Sequence, residues 1–275
     1  MNNFTQRAIT GAIFVFVMIT GIFWNSYSML ILFGVISLLT LWEFYGIVPK
    51  TDHTILRIYS VITGTAVYFL SAMYFQNLLD AKYLVLIFPF IFFIAVLELY
   101  RKKNKPFGNI AYAILGLVYI SLPFAFLNYL AIYHPLGIQI GYNPWLVMGF
   151  FILIWTNDTG AYLAGRAFGK YKLFERISPK KTWEGAVGGL ILTLLAAFIL
   201  NKYTSLLNLT HWLVIAAIIV VFGNLGDLTE SLFKRSVNIK DSGSILPGHG
   251  GLLDRFDAVL IAAPMVFTYV YFISH

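Results

Sequence analysis

Acidic residues are scarce in this chain, and several stand where an apolar sequence should not hold them. Of 12 Asp and Glu, several, among them the seven Glu43, Asp158, Glu184, Asp227, Glu230, Asp254 and Asp257, lie within or at the ends of long hydrophobic runs. A charge at the bilayer centre costs about 2.5–3.5 kcal/mol even on the lenient insertion scale, so each is a functional candidate by default. Asp227, Glu230, Ser231 and Lys234 stand at i, i+3, i+4 and i+7, which is one stripe on a helix. Gly223 and Gly226 beside them admit a neighbouring helix or a ligand. Glu230 also has a plainer reading, a helix-end ion pair with Lys234 at i+4. Asp227 lies deeper, and Lys234 at i+7 is too far along the helix for such a pair.

A loop follows, then Pro247-Gly248-His249-Gly250-Gly251 and the start of another apolar run carrying Asp254, Arg255 and Asp257. A glycine-rich turn feeding a helix N-terminus presents backbone N–H groups at the positive end of the dipole, a ready anion site. Gly and Pro also simply mark turns, and acids in a first helical turn are favoured by the dipole alone. Together the features say more. Carboxylates at two helix ends, with Lys234, Arg235 and Lys240 between them, suit Mg²⁺ and a polyphosphate. Carboxylates take Mg²⁺ through one or two oxygens and leave positions for substrate phosphates. Two such ions clamp an in-line displacement, and the cations neutralise a leaving pyrophosphate. His249 is either a ligand or acid/base, or a histidine hydrogen-bonded within its own loop. A second constellation runs from Asp158 and Tyr162, four apart, through Arg166 to Lys180, Lys181 and Glu184. Lys180 and Lys181 serve equally as anchors at a membrane surface. Thr182, Trp183 and Glu184 form the cap and first turn of the next helix.

These residues need elements to position them, and composition says which. Of 275 residues 59% are hydrophobic and 11% charged, against roughly 45–50% apolar and 25% charged in a soluble domain. That is the profile of an integral membrane protein. Spans of about 20 apolar residues fall near Ala8–Trp24, Tyr27–Val48, Leu56–Phe75, Tyr83–Leu99, Ile110–Tyr133, Trp145–Gly165, Trp183–Leu200, Trp212–Phe233 and Leu252–Phe272. The third is interrupted by Gly64, Thr65 and Ser71. With the N-terminus inside, all of the 19 Lys and Arg except Lys82 and Lys202 fall on the inner side. The expected fold is therefore an all-α polytopic membrane protein with about nine spans, N-inside and C-outside. The formal charge of +7 is largely topological and does not point to nucleic acid. There is no cysteine, which excludes thiolate chemistry and Cys-ligated zinc. The first span carries only Arg7 on its flank and no small-residue cleavage site, unlike a signal peptide.

All seven acids lie toward the inner ends of their spans, so chemistry is expected to face the cytoplasm. Residues 1–134 read as five membrane helices of open role, and 135–275 as four catalytic helices with inner loops. The Arg101–Lys105 cluster reads as topology anchoring plus attraction to anionic lipid, with Glu98 its local charge partner. Glu43 stays open.

The stretch Ser231–Asp257 carries a fixed pattern, S-x2-K-R-x4-K-D-x-G-x2-L-P-x-H-G-G-x2-D-R-x-D. It resembles the signature of the phosphatidate cytidylyltransferases, and Ser178-Pro179-Lys180-Lys181-Thr182-Trp183-Glu184-Gly185 is also similar to that family. The first hundred residues match only in being hydrophobic helices. The resemblance implies that CTP and phosphatidic acid give CDP-diacylglycerol and pyrophosphate in an all-helical membrane enzyme. It implies Mg²⁺, with a second, monovalent cation such as K⁺ beside it, and is compatible with a homodimer in a bacterial inner membrane. On that basis Asp227, Asp254 and Asp257 are the expected metal ligands, with Lys234 and Arg235 catalytic. Asp158, Lys180, Lys181, Ser231, Lys240, Asp241, His249, Gly250, Gly251 and Arg255 are expected to bind nucleotide or phosphate. Glu230, Glu184 and Tyr162 are open candidates.

Two other functions fit the same chemistry. A CTP-dependent lipid or polyprenol kinase would transfer the γ-phosphate and release CDP. An ion-coupled transporter would use the buried acids as a cation site, although paired half-repeats are missing. The pattern of alcohol phosphotransferases that consume CDP-diacylglycerol is not present, since Leu228 follows Asp227.

Overall fold

The protein is described by a computed structural model covering residues 3–47, 54–102, 104–132, 141–243, 245, 248 and 250–274. Lys50, His53, Lys103, His134, Leu246, Pro247, His249 and His275 lie outside the described residues. Among those described, nine helical stretches are long and apolar enough to cross a membrane, so the fold is all-α and polytopic. Each expected span is found, with ends shifted by a few residues.

The chain divides into two compact units. The first holds Met1–Tyr129 and Asp241–Phe256, the second Leu130–Lys240 and Asp257–His275. In the first, α1 (Asn3–Trp24), α2 (Ser26–Ile47), α3 (Thr54–Phe75) and α4 (Ile87–Arg101, entered through the 3₁₀ turn Ala81–Leu86) are followed by α5 (Pro106–Gly116) and α6 (Leu122–Leu130). A π-helical turn, Leu117–Ser121, joins α5 to α6, so the two form one span. Pro123 has no N–H to give to the preceding turn, and the wider turn accommodates that loss. Gly64 does not break α3, because its missing side chain leaves the room that Leu41 and Leu117 fill.

Without a hydrophobic drive between helices in lipid, polar bonds and close packing hold the bundle. Gln76 Nε2 donates to Asn128 Oδ1 at 2.8 Å, Asn128 Nδ2 to the Tyr68 hydroxyl at 3.2 Å, and that hydroxyl to Leu30 O at 2.8 Å. This chain ties α2, α3 and α6 together. Glu98 is held by Arg101 and Asn109, as expected of a local charge partner.

The second unit contains α7 (Trp145–Phe168), a short antiparallel hairpin of β1 (Lys172–Phe174) and β2 (Ser178–Thr182), α8 (Trp183–Thr204) and α9 (Leu209–Ser236). Most of α10 (Leu253–Ser274) completes it. The α7–α8 contact is built from small residues. A Cβ on Gly189 would lie 2.6 Å from Asn157 Oδ1 and 3.0 Å from Asn157 O, and one on Gly160 would lie 2.9 Å from Gly188 O. Val187, Ile191, Leu195 and Phe198 leave the opposite face of α8 exposed and apolar, as a lipid-facing surface requires.

The glycines separate into packed and open positions. Gly189→Ala overpacks the α7–α8 contact and should cost about 1–3 kcal/mol, read as a lower melting temperature in detergent. Gly108→Ala would place its Cβ 3.7 Å from Lys105 Cβ, an ordinary contact. It should leave that temperature unchanged or raise it, through the lower entropy of the unfolded chain.

Candidate functional site

The second unit contains a cavity of about 430 Å³ lined by Asp158, Tyr162 and Arg166 from α7, Leu173 from β1, Lys180, Lys181 and Thr182 from β2, and Asn224 and Asp227 from α9. The hairpin was not foreseen; the sequence suggested only a loop there. Its strands are short, only β2 is polar throughout, and pairing across the ladder fixes them. Trp183 N–H donates to Tyr171 O at 3.0 Å, and Tyr171 N–H to both Glu184 carboxylate oxygens at 3.2 and 3.3 Å. Thr182 caps α8 by accepting from Gly185 N–H at 3.2 Å, the cap expected of it. These bonds fix the strand that carries Lys180 and Lys181 to the cavity.

Lys181 Nζ stands 2.7 Å from Asp227 Oδ2 and donates at 3.4 Å to both the backbone carbonyl and Oδ1 of Asn224. Ser231 Oγ donates to Asp227 Oδ1 at 3.4 Å, so the Asp227–Ser231 part of the stripe acts together. Gly226 sets the neighbouring contact, since a Cβ there would strike Asp257 O and lie 3.0 Å from Ala258 Cα. That close approach of α9 to α10 puts Asp257 in the field of the Asp227 and Asp158 carboxylates, with Lys181 opposing. Asp257 Oδ1 accepts the Ala258 N–H at 2.6 Å. Arg166 Nη1 donates to the Tyr162 hydroxyl at 3.3 Å. The unit thus gathers two carboxylates, Asp158 and Asp227, and three cationic side chains around one volume, with Asp257 close to both acids.

Other expected residues are placed elsewhere. Glu230 is 1% exposed and bound at 2.7 Å to Lys234, the plainer of its two readings. Arg235 Nη1 donates to Ile239 O at 3.1 Å and closes the end of α9. Glu184 pins the hairpin. Lys240, Asp241 and Arg255 are exposed.

In the first unit, Asp254 accepts from Ser242 N–H at 3.1 Å and from Gly251 N–H at 3.0 Å, both to Oδ2. The Gly251 N–H of the glycine turn is therefore already taken by Asp254's own carboxylate. Gly250 has φ +84°, a left-handed conformation that favours glycine.

Asn224 was missed by sequence reasoning, Thr182 was read as a cap and not as part of the cavity wall, and Arg166 was noted without a role. Asn224 is three residues before Asp227, on the same helical face, which is the one signal that could have found it. Among the described residues, no group of three or more His, Asp or Glu side chains is close enough to hold a metal by itself.

The cytidylyltransferase family model matches residues 5–273. Among curated relatives, the chain is 48% identical over 132 residues to a phosphatidate cytidylyltransferase of Haemophilus influenzae, covering 46% of each chain. It is 40% identical over 167 residues to one of Staphylococcus saprophyticus, 60% of each chain. A third, from Rickettsia felis, is 38% identical over 171 residues, 60% of this chain and 72% of that one. The match thus spans about half to three-fifths of the length of the first two.

The buried ion pair on α9 makes its own prediction. Lys234→Met strands the Glu230 charge and should cost about 3–5 kcal/mol, seen as a large drop in melting temperature. The double variant Lys234→Met with Glu230→Gln removes both charges and should recover most of that drop.

Proposed function

The chain belongs to the cytidylyltransferase family, and from that premise we propose that it is a phosphatidate cytidylyltransferase. It joins CTP to phosphatidic acid, giving CDP-diacylglycerol and pyrophosphate, with its site open to the cytoplasm of a bacterial inner membrane. The observation that carries this reading is the Lys181–Asp227 pair at 2.7 Å on the wall of a cavity also lined by Asp158, Arg166 and Lys180. Carboxylates beside fixed cations, at the end of apolar helices, suit a polyphosphate nucleotide meeting a lipid head group.

The donors fit a hard divalent cation. They are oxygens only, and Asp227 and Asp257 repel each other, a repulsion that Mg²⁺ relieves. Asp227 and Asp257 would hold it, and when bound it would neutralise charge on the nucleotide phosphates; Asp254 is proposed to serve the reaction on the strength of the Ser231–Asp257 pattern alone. K⁺ is the proposed second cation.

The chain's own residues supply the rest. A phosphatidate oxygen forms a bond to the α-phosphorus of CTP, and the bond from that phosphorus to the β-phosphate oxygen breaks. Pyrophosphate leaves with the electron pair. The attacking monoester is already anionic, so no strong base is required, and positioning and charge neutralisation carry the catalysis. Lys180, Lys181 and Arg166 meet phosphate oxygens. Asn224 and Asp227 hold the Lys181 ammonium in place beforehand. The head group enters between spans while the acyl chains stay in lipid.

Purified protein in lipid–detergent micelles with Mg²⁺, CTP and phosphatidic acid should form CDP-diacylglycerol, detected by mass spectrometry, with one pyrophosphate per lipid. Absence of that product from well-folded protein would reject the assignment. Asp227→Asn should lower turnover by about 100-fold or more, with purification yield and melting temperature retained. Lys103→Ala, in the anchoring cluster, should stay near wild type.

A further inference from the structure

Glu43 is the acid that the sequence left without a role, and it is not on the wall of the cavity. It lies near the end of α2 and is 6% exposed. Burying a carboxylate in an apolar span is costly, so its contacts matter. Its Oε2 accepts the Leu253 N–H at 2.9 Å, across 210 positions of sequence. Leu253 is the first residue of α10, and its N–H has no partner within that helix. The backbone has shaped itself around this carboxylate. A Cβ on Gly251 would strike Ser242 Oγ and fall 2.6 Å from Glu43 Oε2, and one on Gly243 would strike Oε1. The same short segment carries the Ser242 and Gly251 N–H groups that hold Asp254.

We propose that Glu43 is a positioning residue for the reaction: its buried carboxylate locks the start of α10 and the glycine turn, and so fixes the direction of the Asp254 carboxylate. The N-terminal spans then contribute to catalysis indirectly, by positioning one acid, rather than only as a membrane anchor. This inference rests on the cytidylyltransferase reading for its catalytic consequence, while the lock itself is a contact that can be tested without turnover.

Glu43→Ala, Glu43→Gln and Gly251→Ala would be compared in full-length protein in micelles, with Ser37→Ala on the same helix as a packing control. Glutamine keeps a carbonyl acceptor of the same reach, so Glu43→Gln should hold the Leu253 N–H and keep kcat within about 5-fold. Glu43→Ala should lower kcat by about 100-fold, the scale of a misplacement of roughly 1 Å, with KM for CTP and phosphatidic acid within about 3-fold. Gly251→Ala should reproduce that split by pushing on the same carboxylate from the other side. Peptide-resolved hydrogen exchange should show lost protection at Gly250–Phe256 in Glu43→Ala and elsewhere no change. Ser37→Ala should match wild type in both measurements.

Unchanged exchange at Gly250–Phe256 in Glu43→Ala, or kcat within 3-fold of wild type, would overturn the proposal. Equal losses in Glu43→Ala and Glu43→Gln would overturn it as well. If Glu43→Ala does not accumulate, Glu43→Gln decides: retained protection with retained kcat supports the lock, and retained protection with lost kcat rejects it. Should wild-type protein not transfer cytidylate at all, the function assignment fails, and the exchange comparison still tests the lock.

Discussion

A carboxylate inside an apolar helix must be compensated where it sits, and the acids of this chain's helices are compensated in more than one way. Lys181 faces Asp227 from a strand, Lys234 faces Glu230 from the next turn, and Arg101 with Asn109 holds Glu98. Glu43 and Asp254 use backbone N–H groups instead. The choice of partner separates structure from chemistry. Glu230 and Glu98 are almost fully buried and bound to near neighbours in sequence, which suits a permanent pair. Asp227 is only partly buried, and its partner arrives from 46 positions away on the edge of an open cavity. An ion pair exposed to solvent is weak and exchangeable, which is why that lysine and carboxylate are the ones proposed to meet a nucleotide and a cation.

The small residues of the second unit serve that arrangement. Gly226 lets α9 approach α10 so that Asp257 stands in the field of Asp227. The glycines of α7 and α8 bring the hairpin's two flanking helices together, and Glu184 fastens the hairpin from below. Acids and cations from α7, β2, α9 and α10 are thereby concentrated at the ends of apolar helices. For a reaction between an ionic nucleotide and a lipid, that location is the physical requirement: the polar reactant comes from water and the other never leaves the bilayer.

Much of this was legible in the sequence because it is local. Apolar runs and the sidedness of Lys and Arg revealed the spans, and the i, i+3, i+4 spacing revealed the Asp227–Lys234 stripe. The Thr182 cap follows from residue type and position. What was not legible depends on contacts remote in sequence. Glu43 meets Leu253 only after the chain has folded, so nothing near Glu43 announces it. The hairpin is a run of lysines and a proline with no alternating pattern, and its strands exist because the ladder and Glu184 hold them. Glu230 and Asp227 look alike on a helical wheel. Their separation into a buried pair and a cavity pair comes from what packs against each face of α9.

The reaction proposed for this cavity joins the α-phosphate of CTP to a lipid phosphate. CTP labelled separately at the α- and γ-phosphate, with phosphatidic acid as acceptor and dolichol in parallel, separates it from phosphoryl transfer. Only the α-label should enter lipid, the lipid should be phosphatidic acid, and the γ-label should leave as pyrophosphate. Transfer of the γ-label to either lipid would contradict it and make the protein a kinase. Transfer of neither label by folded protein, with Mg²⁺ and K⁺ varied, would contradict it too, and would make the buried acids a cation-binding site.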